Sequence, residues 1–562
     1  MKNIKFNLGK YETEFSKKLN ELNEQNIVSR IWDKDYTVWR DDPTEISNRL
    51  GWLDCSDVAK TKLDEINHFV GEIKAEGFTH ALLLGMGGSS LAPEVFKKII
   101  GVESGYLDLS ILDSTHPDQV QSMLDKFSSK KTLYIVSTKS GGTVETISFM
   151  KRFYNTVISS VGENKVGNYF IAITDPGSGL EQIAKDLNFR KTFINDPNIG
   201  GRYSALSLFG LVPAALLGVD LNNFIELVDV AISESKNEEN ETAKIGVALG
   251  TLAECGVDKV TYILSNEYKP FGAWVEQLIA ESTGKDGKGI LPIEGEELLT
   301  PSEYSKDRLF IYIHLKDDNS NREKVIELIA SGYPVIEIEL DSLFLLGAQF
   351  FVWEMATVIA SWVTDIQPFD QPNVEEAKII GRKMMEQYLE EGEIAKLIPA
   401  LDDNGIKVYG DNIAPKISEV IPNFMRNLKD GENELSGRSY VSIQAYINMD
   451  EEAEVALQKL RTNIQKKYKV ATTIGFGPRF LHSTGQLHKG DAGNGLFIQI
   501  VSQNKIDVEI PNEAGETKSD MTFNVLVNAQ ALGDRAALLD NKRNVIRFDI
   551  STNVANDIEK II

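Results

Sequence analysis

Cysteine is scarce. Cys55 and Cys255 are the two in 562 residues, too few for a disulfide framework in so long a chain and in keeping with free thiols in a reducing cytoplasm. Positive charge is in deficit as well. Lys and Arg number 59 against 83 Asp and Glu, a net −24, so no global basic field exists for nucleic acid or an anionic membrane. An anionic small ligand would need a local cluster of positive groups. Six histidines are present, but His482 and His488 lie six apart rather than four, and two cysteines add no ligand set, so no metal is expected. Met1–Phe6 shows no apolar core of a secretory signal. The one long apolar run, Leu343 to Val363, is interrupted by Gln349 and Glu354, and its Trp353 and Trp362 fall within the span. It is expected to be a buried core helix in a soluble, cytoplasmic protein.

What is present reads as globular: 42% hydrophobic and 25% charged residues exclude a fibrous or disordered chain. From about 60 to 220, strand-like runs His80–Gly85, Leu107–Asp113, Thr132–Thr138 and Tyr169–Asp175 alternate with helix-like segments Leu91–Gly101, Pro117–Phe127, Thr143–Ser160 and Gly179–Leu187. This is the pattern of a parallel, doubly wound sheet. A second pass, from about 225 to 395, has strands at Lys259–Ser265, Arg308–Leu315 and Pro334–Leu340, with helices at Trp274–Ser282, Arg322–Ser331, Leu343–Val363 and Glu375–Glu391. The tail differs in texture, with strand candidates Tyr440–Asn448, Leu496–Val501, Lys505–Ile510, Met521–Val527 and Val545–Ile550 around a helix Glu451–Tyr468. The expected fold is α/β, two tandem doubly wound parallel-sheet units plus a C-terminal α+β region. Its expected divisions are 1–60 (helical), 61–222, 223–400 and 401–562.

Six segments are candidates for chemistry. Gly85-Met86-Gly87-Gly88-Ser89-Ser90 follows a strand and opens a helix, yet lacks the third glycine of a dinucleotide fingerprint. Thr138-Lys139-Ser140-Gly141-Gly142-Thr143 repeats the arrangement with three hydroxyls and a lysine. It suits a phosphate, or else Thr143 merely caps the helix that carries Glu145. In Gly200-Gly201-Arg202-Tyr203-Ser204, glycines would let a guanidinium reach a buried anion, though a solvated turn is the plainer alternative. Gln277 and Glu281 share one helix face, and a carboxylate at a helix C-terminus opposes the dipole, which favours a functional one. Phe369-Asp370-Gln371-Pro372-Asn373-Val374-Glu375 leads into a helix bearing Lys378. The tail's densest polar cluster is Leu481–Gly490, whereas His314, within a strand, suits a structural role.

Together these residues resemble the glucose-6-phosphate isomerase family over about residues 80–385. Gly200–Ser204 matches its G-G-R-[FY]-S signature, Phe369–Glu375 resembles F-D-Q-x-G-V-E followed by Lys, and Gln277–Lys285 matches Q-x-x-x-E-S-x-G-K. Asn373 stands where the family has glycine. The family's L-H-S-x-G-Q histidine segment, which there precedes the Phe-Asp-Gln signature and reaches a neighbouring subunit's site, appears here at Leu481–Gln486, after Lys378. The segments 284–293 and 481–490 look closest to the isomerase half of bacterial transaldolase–isomerase fusions.

The resemblance implies two sugar-isomerase (SIS-type) sandwiches, a sugar-phosphate substrate, no cofactor, and a homodimer with a shared active site. It implies that Gly88, Ser89, Thr138, Lys139, Ser140, Thr143 and Gly201 surround the phosphate, and that Gln277 and Gln371 hold sugar hydroxyls. His482 and Lys378 would open the ring, Glu145 orient His482, Glu281 move the proton, and Arg202 stabilise the enediolate. A broader phosphosugar isomerase also taking mannose 6-phosphate, and a non-catalytic sugar-phosphate sensor, are the alternatives.

Overall fold

The computed structural model describes residues 3–128, 130–237, 240–394 and 396–562. The N-terminal segment, expected to be helical, begins with strand β1 (Ile4–Asn7) before its short helices. Strands β2 (His80–Gly85), β3 (Asp108–Leu112), β4 (Thr132–Ser137), β5 (Phe170–Thr174) and β6 (Lys191–Ile194) form a wholly parallel sheet in the order β3-β2-β4-β5-β6. β2, β4 and β5 are buried almost throughout, which is why they read as continuous apolar runs. Helices α1 (Leu91–Ile99) and α2 (Val144–Val161) follow β2 and β4. The chain leaves β2 on one side for β3 and returns on the other for β4. The loops after β2 and β4 therefore flank a topological switch point, where open parallel sheets take their ligands.

Strands β7 (Lys259–Leu264), β8 (Leu291–Ile293), β9 (Arg308–Leu315) and β10 (Val335–Leu340) make a second parallel set, and β1 adds antiparallel to the β10 edge. Helix α3 (Phe271–Thr283) crosses from β7 to β8. Helix α4 (Leu346–Val363) is the apolar run noted above. It is buried at every position but Trp362 and joins an apolar cluster that extends from Leu8 through both sheets to Phe369. Among the described residues it is the one helix long and apolar enough to cross a membrane, and 83% of its apolar window is buried inside the fold. Trp52, Trp274 and Trp353 are at most 1% exposed there, and burying a large apolar side chain contributes on the order of 2–3 kcal/mol. Helix α5 (Val374–Glu391) leaves this core.

The C-terminal residues build a third sheet. Strands β11 (Leu401–Asp403), β12 (Ile406–Tyr409), β13 (Tyr440–Tyr446), β14 (Ala471–Phe476), β15 (Gly495–Ser502) and β18 (Asn544–Ile550) take the order β11-β12-β18-β15-β13-β14. Four of the six run parallel, and β12 and β11 add antiparallel at one edge. The region is thus wound like the other two sheets, with an antiparallel edge. Helices α6 (Glu451–Tyr468) and α7 (Gly485–Gly490) and the small pair β16 (Glu509–Ile510) and β17 (Met521–Thr522) complete it with α8 (Phe523–Asp540).

Two expected strands are corrected by the structure. Of Lys505–Ile510 only the last two residues are extended, and of Met521–Val527 only the first two. Thr522 accepts from Val525 N at 3.3 Å and starts α8, whose buried Phe523, Leu526, Val527, Asp534 and Leu538 recur at helical spacing. A short apolar run does not itself distinguish strand from helix.

Candidate active site

The loop after β2 turns at Gly87, whose φ of +53° lies in the left-handed region. A Cβ there would meet His482 Cβ and O at 2.9 Å and Gln277 Nε2 at 3.0 Å. Glycine therefore admits both residues to the loop. A Cβ on the next residue, Gly88, would lie 2.0 Å from Gly201 O, so the Gly-Gly-Arg turn is pressed against the same loop. Ser89 is half-buried within this turn, and its carbonyl accepts from Ser137 Oγ at 3.2 Å.

In the loop after β4, Thr138 Oγ1 and Thr143 Oγ1 lie 2.9 Å apart, and Ser140 Oγ accepts from Gly142 N at 3.3 Å. Thr143 occupies the N-cap position of α2 but makes no side-chain cap bond. This end of an 18-residue helix thus keeps the character of an anion site. Lys139 faces elsewhere: its ammonium pairs with Asp175 and donates to Pro197 O at 2.9 Å, toward the end of β5.

Ser140, Thr143, Glu145, Lys378, His482 and Gln530 line a cleft of about 300 Å³. His482 arrives on the turn after β14. Its Nε2 lies 3.0 Å from Glu145 Oε1 in the same chain. A carboxylate only accepts, so Nε2–H donates and Nδ1 is left outside this hydrogen bond. Glu145 is 4% exposed. Burial pushes its carboxyl up, but the His482 charge and hydrogen bond, with Lys378 adding to them, hold it below the usual range. Lys378 faces the cleft with Nζ 2.8 Å from Glu375 Oε1.

Gln277 joins the histidine to the carboxylate of α3. Its Nε2 donates to His482 O at 2.7 Å and to Glu281 Oε2 at 3.2 Å. Its Oε1 is buried without a hydrogen-bond partner among the described residues. Arg202, 4% exposed, donates through Nε to Ser282 Oγ at 2.9 Å, through Nη1 to Gln371 Oε1 at 3.0 Å, and through Nη2 to Asp370 O at 3.0 Å. Its Nη1 stands 3.7 Å from Glu281 Oε1. The solvated-turn alternative for Arg202 is thereby excluded. His314 lies in β9 with Nδ1 2.9 Å from Leu315 O and Nε2 3.3 Å from Glu337 Oε1, a satisfied structural histidine. A second cavity, of about 390 Å³ between Lys288 and Tyr440, contains none of these groups.

Residues 57–288 match the model of the phosphoglucose isomerase family. Over that segment the chain is similar to the phosphoglucose isomerases. It is 26% identical over 426 residues to the glucose-6-phosphate isomerase of Mycoplasmopsis pulmonis, covering 65% of this chain and 99% of the relative. To that of Campylobacter jejuni it is 27% identical over 382 residues, covering 60% and 93%. Two crystal structures share the fold. A glucose-6-phosphate isomerase from Chlamydia trachomatis has a TM-score of 0.57 at 17% identity, covering 67% of this chain and 86% of that one. A hypothetical protein from Thermus thermophilus has 0.58 at 22%, covering 68% and 100%.

Several residues of the site escape a reading of the sequence. Gln486, fully buried, donates through Nε2 to Gly284 O at 2.9 Å and to Asn373 Oδ1 at 2.7 Å, while its Oε1 accepts from Asn373 N at 2.9 Å. Asn373, the departure from the family's glycine, supplies a side-chain acceptor here that glycine lacks. Lys285, at the end of the Glu281 segment, pairs with Asp370 Oδ1 at 2.8 Å. Burial, reinforced by the Arg202 charge, lowers it to about 8. Arg479 pairs with Glu94 of α1 and lies 3.4 Å from Asp113 Oδ2. Gln486 and Lys285 stand inside quoted motifs, whereas Arg479 and Gln530 carry no local signal.

Proposed function

We propose that this chain interconverts D-glucose 6-phosphate and D-fructose 6-phosphate, in line with its similarity to proteins named glucose-6-phosphate isomerase. The observation that carries the reading is Gln277 bonded to both Glu281 and the His482 backbone, which holds two proton-transfer groups of different kinds beside one arginine. The phosphate lies at Ser140, Thr143 and the start of α2, with Ser89 beside them. His482 and Lys378 transfer the proton that opens the ring. Glu281 then takes the proton from C2, the electron pair moves into an enediolate, and the same carboxyl returns a proton at C1. Arg202 faces the developing negative charge, a contribution typically on the order of 3 kcal/mol. The free Oε1 of Gln277 suits a sugar hydroxyl, and Gln371 lies beside it through Arg202. The proton shuttle requires no redox cofactor.

The homodimer with a shared site remains part of the family expectation, but the pairing of His482 with Glu145 of its own chain supports a site supplied by one subunit. A cytoplasmic location accords with two free cysteines. In a coupled assay with glucose 6-phosphate and mannose 6-phosphate, the first is expected to turn over and to exchange a solvent deuteron into fructose 6-phosphate. Glu281→Gln should keep binding and lose turnover by about 10³-fold. Binding of the sugar phosphate without exchange in the parent chain would leave the sensor reading instead.

A further inference from the structure

Helix α8, whose first turn reads as a strand in the sequence, touches three helices of the cleft: α2, which carries Glu145, α5, which carries Lys378, and α7, which follows His482. Phe523 at its start stacks on Phe149 of α2, with centroids 5.7 Å apart and planes 13° from parallel. Asp534 accepts from Lys489 of α7 at 2.6 Å, and both side chains are 0% exposed. Asn541, just past its end, donates to Glu376 of α5 at 2.8 Å. Gln530 lies midway and reaches the cleft.

Its amide has a defined direction. Thr115, fully buried before the helix that follows β3, donates its hydroxyl proton to Gln530 Oε1 at 2.7 Å. Gln530 Nε2 is thereby turned to Glu145 Oε1, to which it donates at 2.7 Å. This oxygen is the one His482 Nε2 meets at 3.0 Å. A reversed amide would set two acceptors against each other. We propose that Gln530, oriented by Thr115, is a positioning residue that fixes the Glu145 carboxylate against His482. The proposal deepens the isomerase reading and rests on it for its kinetic consequence. His482 and Lys378 lower the Glu145 carboxyl, the buried Tyr446 hydroxyl is a further titratable neighbour, and Glu375 and Arg382 line the same cleft.

Gln530→Leu removes the amide donor, so Glu145 protonates at higher pH. On cyclic glucose 6-phosphate, kcat should fall about tenfold to a hundredfold with KM little changed, and the acid limb of the pH–rate profile should move upward. The open-chain sugar should be affected much less. Thr115→Val should give a smaller loss of the same kind, and the double variant should be no worse than Gln530→Leu, because the hydroxyl acts through the amide. A purely structural Gln530 would lower Tm, leave the acid limb in place and give additive losses; that result would overturn the proposal. The Glu145 carboxyl titration, followed by ¹³C NMR, needs no turnover. An upward shift in Gln530→Leu supports the positioning role even if the parent proves inactive as an isomerase, and an unmoved titration refutes it. Gln530→Met, which preserves length, serves the same readings if the Leu variant does not fold.

Discussion

The proposed phosphate side of the cleft and its histidine side are built in different ways. Ser89 and the Thr138–Thr143 loop lie directly after β2 and β4, neighbours in one parallel sheet, so two short segments and one strand pairing suffice to bring them together. His482 is 337 residues from the Glu145 it meets. It arrives from β14 of the third sheet, and its segment is held from three directions: by Gln277, by the carboxylates that pair with Arg479, and by α8. A ligand cradle can be encoded locally, while a proton-transfer pair assembled across sheets depends on docking. Damage to docking should therefore remove ring opening while the phosphate cradle persists.

The largest effect should come from Arg479, which separates these two kinds of construction. Arg479→Met leaves Asp113 without its guanidinium and Glu94 with Lys98 as its remaining cation, and stranding a carboxylate in this half-buried cluster costs about 1–3 kcal/mol. Denaturant unfolding should show a loss of this size. A loss below about 1 kcal/mol would mean that the clamp does not hold the region.

His482→Ala comes next and sharpens the comparison. It should slow turnover of cyclic glucose 6-phosphate by about 10²-fold while leaving open-chain substrate nearly unimpaired, since in the proposed reaction Glu281 and Arg202 act after the ring has opened. Rapid-mixing kinetics with the open-chain fraction measure this difference, and equal loss on both forms would move His482 out of the ring-opening step.

The smallest effect is a control in the shared core. Glu354 on α4 is fully buried with neither carboxyl oxygen hydrogen-bonded among the described residues, and burial holds its carboxyl well above the usual range. The fold then binds that proton more tightly than the unfolded chain does. Its stabilising contribution is complete below the unfolded pKa and is lost as pH rises above it. Glu354→Gln should gain stability relative to the parent as pH rises above the usual carboxylate range, with kcat unchanged. A Tm difference independent of pH would contradict the assignment of the proton.

The same contrast explains what is legible in the sequence. Buried parallel strands announce themselves as apolar runs, so the cores of β2, β4, β7 and β9 are readable within a residue or two. Arg202, Glu281, Gln371 and Lys378 stand in motifs. β14 is not readable in this way, because Ala471–Phe476 mixes Thr, Gly and apolar residues at the edge of its sheet and forms no continuous apolar run. Gln530 is invisible because a glutamine within a helix has no local mark, and its role exists only once Thr115 and Glu145 are brought to it. Lys139 shows the converse: it fits a phosphate motif, yet Asp175 at the end of β5 holds its ammonium elsewhere.

Whether one chain supplies the whole site is tested most directly by pairing Glu281→Gln with His482→Ala, co-expressed with different tags and purified through both. A site built within one chain stays broken in both partners, so the mixture should show no more activity than the separate variants. Recovery of a substantial fraction of parental turnover would mean that His482 of one chain serves Glu281 of another, and would contradict the account.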